Sequence, residues 1–322
     1  MKQRKVLVTG ATGFLGSYVV DIFSRDPSIQ VLAGVRRSKE NLPEGVEPLL
    51  LGSLEAGVEP ESMEGIAVII HCAARVHVMN DQAADPLSEF RKVNVEGTLN
   101  LARRAAAAGV QRFIFISSIK VNGEGTDNRQ PYTADEPPSP VDPYGVSKFE
   151  AEQGLRKVAT ESGMAITIIR PVLVYGPGVK ANFHAMMNWL HKGIPLPLAS
   201  IRNKRSMVAL DNLVDLIKIC LDHPAATNQV FLVSDGEDLS TPELLCRTAQ
   251  ALGGRAFLLP LPTFALTFFA RLLGRPAMGA RLCGSLQVDI SKTRNLLDWT
   301  PPMSVNQALD ITARHYLENR KA

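Results

Sequence analysis

Three side chains near the middle of the sequence have the types and spacing for proton transfer at a carbon–oxygen bond. Ser117 and Ser118 close the apolar run RFIFISS, and after a polar loop Tyr144 and Lys148 follow in DPYGVSK. Tyr144 and Lys148 stand four apart at the start of a helical pattern, so they share one face. A free phenol has a pKa of about 10 and exchanges protons poorly at neutral pH. An ammonium about 5 Å away would favour the phenolate by roughly 3 kcal/mol at an effective dielectric near 20, or about 2 pKa units. The expectation is a Tyr144 of lowered pKa acting as general acid/base on a carbonyl or alcohol, with Ser118 holding the substrate oxygen.

Such a trio needs a rigid frame, and the first half of the chain supplies one. The runs KVLVTG, QVLAGV, AVIIHCA, RFIFISS and AITIIRPVLVYG read as strands separated by helical patterns. In LSEFRKVNVEGTLNLARRAAAAGV, Phe90, Val93, Gly97, Leu101 and Ala105 fall on one face. Strands that are apolar throughout and alternate with helices predict an α/β fold, a doubly wound parallel (Rossmann) sheet. Beyond residue 178 the pattern loosens. Residues 1–178, with returns near 207–235, are read as the dinucleotide-binding domain. Residues 179–206 and 236–322 are read as a smaller C-terminal substrate-binding domain. STPELLCRTAQALGG opens as a helix, with Thr241 as its cap and Pro242 and Glu243 in its first turn.

TGATGFLG follows the first strand and opens the first helix, with Gly10, Gly13 and Gly16 in GxxGxxG spacing. Glycines there permit a tight turn and close approach of a pyrophosphate, and the helix start offers free N–H groups. Thr12, Phe14 and Leu15 are counted with the glycines as cofactor contacts. Ser118, at the carboxyl edge of the sheet, lies where ligands of such folds bind, and Lys148 can bond a nicotinamide ribose. The second strand ends AGVRRS, with no acid before Glu40 to hold a ribose 2′-hydroxyl. Arg36 and Arg37 suit a 2′-phosphate instead. NADP(H) is therefore the expected coenzyme; the alternative is NAD(H) with two solvent-facing arginines.

The chain has 322 residues and a net charge of +3, and no dense Lys/Arg run, so nucleic acid is not an expected partner. Cys72, Cys220, Cys246 and Cys283 lack CxxC spacing, so no metal site is expected and a reducing cytoplasm is. No secretory leader is expected. AFLLPLPTFALTFFARLLG, residues 256–274, is strongly apolar but interrupted by Pro260 and Pro262 and closed by Arg271. It is too short to span a bilayer. It reads as a buried or lid helix, or as a peripheral membrane contact.

These motifs resemble the extended short-chain dehydrogenases/reductases, the NAD(P)-dependent sugar-nucleotide epimerases, dehydratases and reductases. The resemblance covers nearly the whole chain. It implies that Ala73 and Ala74 in VIIHCAA let the backbone approach the cofactor, and that Asn94 in KVNVEGT supports the site. It implies Ser118, Tyr144 and Lys148 as the catalytic set, and Pro171 and Val174 in IRPVLVYGPG beside the nicotinamide. It implies Asn182 and Arg205 at a nucleotide diphosphate, although Ser206 replaces the family's following Asp. Arg281 is a further phosphate candidate and His77 a sugar candidate. Each also has a plain structural reading, as a helix cap, a surface charge or a structural histidine. The resemblance further implies a UDP-sugar substrate and a homodimer.

Among the family's reactions, 4,6-dehydration is not expected, because Ile119 and Lys120 occupy the positions of its acidic pair. The arginine pair favours net reduction by NADPH. The resemblance implies, more specifically, reduction of the 4-keto group of UDP-2-acetamido-2,6-dideoxy-hexos-4-ulose for surface polysaccharide. The alternative is a UDP-hexose 4-epimerase with retained NAD, and a non-catalytic dinucleotide-binding subunit is the third possibility.

Overall fold

The computed structural model describes residues 3–36, 42–55, 60–76, 85–272, 279 and 282–320. Its centre is a seven-stranded parallel sheet. Along the chain run β1 (Arg4–Thr9), β2 (Ile29–Val35), β3 (Glu47–Leu50), β4 (Val68–His71), β5 (Arg112–Ile116) and β6 (Ala165–Pro171). A short β7 (Leu173–Tyr175) and β8 (Arg205–Ala209) precede β9 (Val230–Val233) and β10 (Asp238–Leu239). The sheet order is β3-β2-β1-β4-β5-β6-β9, every pair parallel. The doubly wound α/β expectation is met. The order reverses between β1 and β4, whose carboxyl ends carry Gly10 and Cys72–Ala73. Ligands of such sheets bind at this switch point.

The strands are apolar throughout because both faces are covered. Val6, Val8, Ile70, Ile114 and Ile116 point to one face. There they pack with Val19 and Phe23 of α1 (Phe14–Ser24) and Leu213 and Ile217 of a later helix, Leu210–Cys220. Leu7, Ile69, Phe113 and Phe115 point to the other face. They meet α2 (Pro86–Phe90) and its continuation through α3 (Thr98–Ala107), and α4 (Pro143–Ser162), by way of Leu101, Ala105 and Leu155. The remaining helices are α5 (Ala181–His191), α6 (Leu210–Cys220), α7 (Thr241–Ala251), α8 (Thr263–Leu272), α9 (Ser291–Leu297) and α10 (Val305–Asn319).

Four details depart from the sequence reading. Between α2 and α3, residues Arg91–Gly97 form a π-helix. Its wider turn shifts the helix phase, so Asn94 is buried and Val93 only half-buried. AITIIRPVLVYG is two strands, because β7 leaves the main sheet to pair with β8 in a three-stranded sheet ordered β10-β8-β7. Ser240, not Thr241, caps α7, in a capping box with Glu243. A third core, around Tyr175, Phe183, Met187, Leu245 and Leu309, lies outside the main sheet. Val288, Ile290, Leu297 and Trp299 nevertheless pack with the α1 face of that sheet, so the tail returns to the main core.

Candidate active site

Two helix starts and one strand end converge on the trio. β5 ends at Ile116, and the Ser117 N–H donates to the Ile169 carbonyl at 2.7 Å. Ser118 is extended and caps the short turn Ile119–Val121, its Oγ accepting from the Lys120 N–H at 3.2 Å. α4 starts sharply because Pro143 occupies its first turn and Asp142 Oδ1 accepts from the Gly145 N–H at 2.6 Å. Gly145 lets this start press against the serine turn, since a Cβ there would sit 2.8 Å from the Lys120 carbonyl oxygen. The close approach sets the Tyr144 phenol beside the Ser118 side chain, whose hydroxyl acts to lower the phenol's pKa. Phe90 backs the tyrosine edge-on, with ring centroids 6.0 Å apart. Gly145→Ala is expected to part this pair and lower kcat by about ten- to a hundredfold, the scale of an ångström-sized misplacement. Steady-state kinetics beside an unchanged circular-dichroism spectrum would check it.

Lys148 is buried one turn along α4. Its Nζ donates to the Ile116 carbonyl at 2.8 Å and stands 4.4 Å from the Phe115 ring centroid. Burial lowers its pKa to about 8, against the opposing pull of Cys72 and Glu152. The tyrosine departs from the expectation. Burial pushes its pKa up to about 12; Asp142 adds to the rise and the Ser118 hydroxyl opposes it. Lys148 is not among the groups that shift the phenol. Its ammonium is committed to the Ile116 carbonyl, and desolvation of the phenolate outweighs it.

A sign follows for stability. Lys148 binds its proton less tightly folded than unfolded, so between about pH 8 and pH 10 the unfolded chain holds more protons at this residue. The Lys148 contribution therefore makes wild type gain stability, relative to Lys148→Met, as pH rises through that window. The gain is about 3 kcal/mol at most, from 1.36 kcal/mol per pKa unit. Denaturant titrations of both proteins across the window would measure it.

Behind the trio lie Asn94, already expected to support the site, and His71, Glu152 and Arg170, which single-position reading did not find. His71 is buried, with Nδ1 2.7 Å from Thr9 Oγ1 and Nε2 2.9 Å from Thr98 Oγ1. Burial, then the Lys148 charge, holds its pKa down to about 3, so it is a neutral bridge between β1, β4 and α3. Asn94 Oδ1 accepts from the Arg75 N–H at 2.8 Å, and Nδ2 donates to the Arg75 carbonyl and to Ser147 Oγ, each at 3.0 Å. This ties the loop after β4 to α4 beside Lys148. Arg170 Nε and Nη2 bind Glu152 Oε1 and Oε2 at 2.9 and 2.6 Å, and Ser117 Oγ donates to Glu152 Oε1 at 2.5 Å. One sequence signal pointed here: Arg170 in the apolar run AITIIRPV needs a buried acid.

At the switch point, Gly10 takes φ 66° and its carbonyl accepts from the Gly13 N–H at 2.9 Å. A Cβ on Gly16 would fall 2.1 Å from that carbonyl oxygen. Ala73 packs on Gly10, its N–H 3.4 Å from Thr9 Oγ1, and Ala74 follows it. Gly13 starts α1 with no side-chain cap and no acid in the first turn, leaving its positive end open beside exposed Thr12 and half-buried Phe14 and Leu15. These residues fit a dinucleotide pyrophosphate. Arg36 is exposed where β2 ends. Pro171, buried at the end of β6, lies at the same carboxyl edge of the main sheet as Ser118, and half-buried Val174 follows on β7.

Asn182 is exposed in the first turn of α5, which also lacks a side-chain cap and a first-turn acid. Arg205 opens β8, its Nη1 donating to the Gly284 carbonyl at 3.1 Å. The acid absent at position 206 is supplied by β10, where Asp238 accepts from Ser206 Oγ. Residues 285–289 also bond the loop after Ser118, through Thr126 to Ser285 at 2.8 Å and Tyr132 to Gln287 at 2.9 Å. Arg37, His77 and Arg281 lie outside the described residues. A cleft of about 350 Å³ between α5 and α10, lined by Lys180, His184 and His315, contains none of the trio.

A doubly wound sheet with a glycine turn at its switch point, and a Ser–Tyr–Lys trio on the next strand and helix, defines an extended short-chain dehydrogenase/reductase. The chain belongs to the NAD dependent epimerase/dehydratase family, which matches residues 6–234. It is 46% identical to a UDP-glucose 4-epimerase of Vibrio cholerae over 317 residues, 98% of this chain and 96% of that one. Among solved structures it resembles the UDP-glucuronic acid 4-epimerase of Bacillus cereus in complex with NAD, with TM-score 0.78, 19% identity, and 98% and 96% of the two chains covered. It also resembles the UDP-N-acetylglucosamine 4-epimerase of Bacillus cereus, with TM-score 0.79, 21% identity, and 99% and 100% covered.

These relatives overturn the expectation of a 4-keto reductase. That expectation rested on Arg36 and Arg37 as a sign of NADPH. An arginine at the end of β2 bears on the coenzyme's adenosine ribose and carries no information about the fate of the hydride. No helix among the described residues is long and apolar enough to cross a membrane.

Proposed function

We propose that the protein is a UDP-hexose 4-epimerase that retains NAD through each turnover. The observation that carries this reading is the placing of Ser118, at the carboxyl end of β5, beside Tyr144 in the first turn of α4 and buried Lys148 one turn on. The Vibrio cholerae relative, a UDP-glucose 4-epimerase sharing 46% of its residues, supports the choice of reaction.

The turn from Gly10 to Gly16 and the open end of α1 would hold the pyrophosphate, and Ala73, Ala74, Pro171 and Val174 would contact the rest of the dinucleotide. Bound NAD supplies a hydride acceptor and donor and a cationic ring whose field favours the phenolate. Ser118 Oγ orients the sugar's 4-oxygen. Tyr144 Oη takes the 4-hydroxyl proton as C4 is oxidised and returns it as C4 is reduced on its other face. Net redox change is zero and one stereocentre inverts. Lys148 serves the nicotinamide ribose and places positive charge under the site. Asn94 acts through Ser147 and Arg75, as a positioning residue. Asn182 and Arg205, in the smaller domain made of the segments 179–206 and 236–322, bind the UDP diphosphate. Pairing of two chains belongs to the same proposal.

NAD is proposed over NADP because the family is NAD dependent and a retained coenzyme need not draw on the reduced NADPH pool. Arg36 would tolerate the extra phosphate without requiring it. Protein denatured after purification is expected to release NAD. The native protein, incubated with UDP-glucose or UDP-N-acetylglucosamine and no added coenzyme, is expected to form the C4 epimer to an equilibrium mixture. Turnover that consumes one equivalent of reduced coenzyme per sugar would contradict the reading.

A further inference from the structure

We propose that α8 and the neighbouring segment 257–259 form a face that docks on an anionic membrane surface, with α8 lying in the plane of the headgroups. α8 is apolar on two sides. Leu266 turns inward and packs, with Leu258, on the third core. Phe264, Phe268 and Leu272, at i, i+4 and i+8, turn outward and are 76%, 62% and 72% exposed. Beside them residues 257–259 hydrogen-bond to the chain around Leu196, Leu196 N–H to the Phe257 carbonyl and Leu259 N–H to the Leu196 carbonyl, both at 2.8 Å. That segment exposes Phe257 and Leu259, and Trp189 of α5 is half exposed. Single exposed apolar residues are ordinary, but a cluster of large ones marks a surface that is covered in use.

Charge decides what covers it. Arg271 closes α8 and Arg255 precedes the segment 257–259, and the sequence from 244 to 288 holds no Asp or Glu; Arg247, farther back on α7, is paired with Glu237 at 2.7 Å. The segment 176–204, hydrogen-bonded to residues 257–259, holds Lys180, Lys192, Lys204 and Arg202 and again no acid. The whole chain is nearly balanced, with 35 basic and 32 acidic residues. A second copy placed on this face would set its own unbalanced cations against these. Anionic headgroups complement them, and aromatic side chains with arginine suit the lipid–water boundary. At ten residues α8 lies on a bilayer and does not cross it.

The test is flotation of the coenzyme-loaded protein with vesicles of phosphatidylcholine alone and of phosphatidylcholine mixed with phosphatidylglycerol. Binding is expected to the anionic vesicles, at least about tenfold weaker to the neutral ones, and weakened by salt. The double variant Phe264→Ser/Phe268→Ser is expected to lose about tenfold or more in vesicle affinity, and Arg271→Glu about fivefold. Both should keep wild-type turnover of a UDP-sugar. Failure to float with anionic vesicles, or flotation unchanged in the double variant, would overturn the proposal. Concentration-dependent dimerisation abolished by the double variant would assign the face to a second copy and would equally overturn it.

Discussion

Tyr144→Phe is expected to lower kcat for C4 epimerisation by about two to four orders of magnitude, the usual worth of a positioned proton donor and acceptor. Coenzyme content and folding should hold, because the ring's contact with Phe90 is kept and only the hydroxyl is lost. The effect should fall on kcat more than on KM, since the proton moves only as C4 changes oxidation state. Ser118→Ala should show a smaller loss of the same kind, because it removes the partner of the phenol. Near-normal turnover by Tyr144→Phe would remove the tyrosine from the chemistry.

Glu152→Ala carries the second large effect, and it falls on stability. Glu152 and Arg170 are only 1% and 2% exposed and pair across α4 and β6. Removing the carboxylate leaves a buried guanidinium with Asn122 as its remaining side-chain partner, at 2.9 Å, and strips Ser117 of its acceptor. Breaking a buried pair in this way costs about 3–5 kcal/mol. Replacing both residues by methionine should recover much of the loss, because no unpaired charge remains. A chemical-denaturation midpoint unchanged in Glu152→Ala would show that the pair is not holding α4 to the sheet. Since Ser117 adjoins Ser118, and Lys148 lies one turn before Glu152, activity is expected to fall with stability.

The parts of the site legible in the sequence are those written in short spacings. GxxGxxG between a strand and a helix marks the turn at Gly10–Gly16, and YxxxK marks one face of α4. Each depends only on local geometry. What was not legible joins residues far apart in the chain. Thr9, His71 and Thr98 meet only because β1 and β4 are adjacent in the sheet and α3 covers them. Ser206 finds its acid in Asp238, on a strand that pairs antiparallel with its own. The tyrosine shows the same limit from the other side. Spacing placed an ammonium near the phenol, but whether that ammonium faces the phenol or the Ile116 carbonyl is set by the end of β5. The π-turn that buries Asn94 breaks the regular period used to read the helix, so Val93 is the one residue of the expected inward face that turns partly outward, while Phe90, Gly97, Leu101 and Ala105 are buried.

Retention of the sugar's own C4 hydrogen tests the central claim most directly. UDP-glucose deuterated at C4 should be converted to UDP-galactose that keeps the deuterium at C4, with no exchange into solvent or into added coenzyme. Loss of the label to solvent, or its appearance in free reduced coenzyme, would contradict an oxidation and reduction completed by Ser118, Tyr144 and Lys148 within one protein molecule.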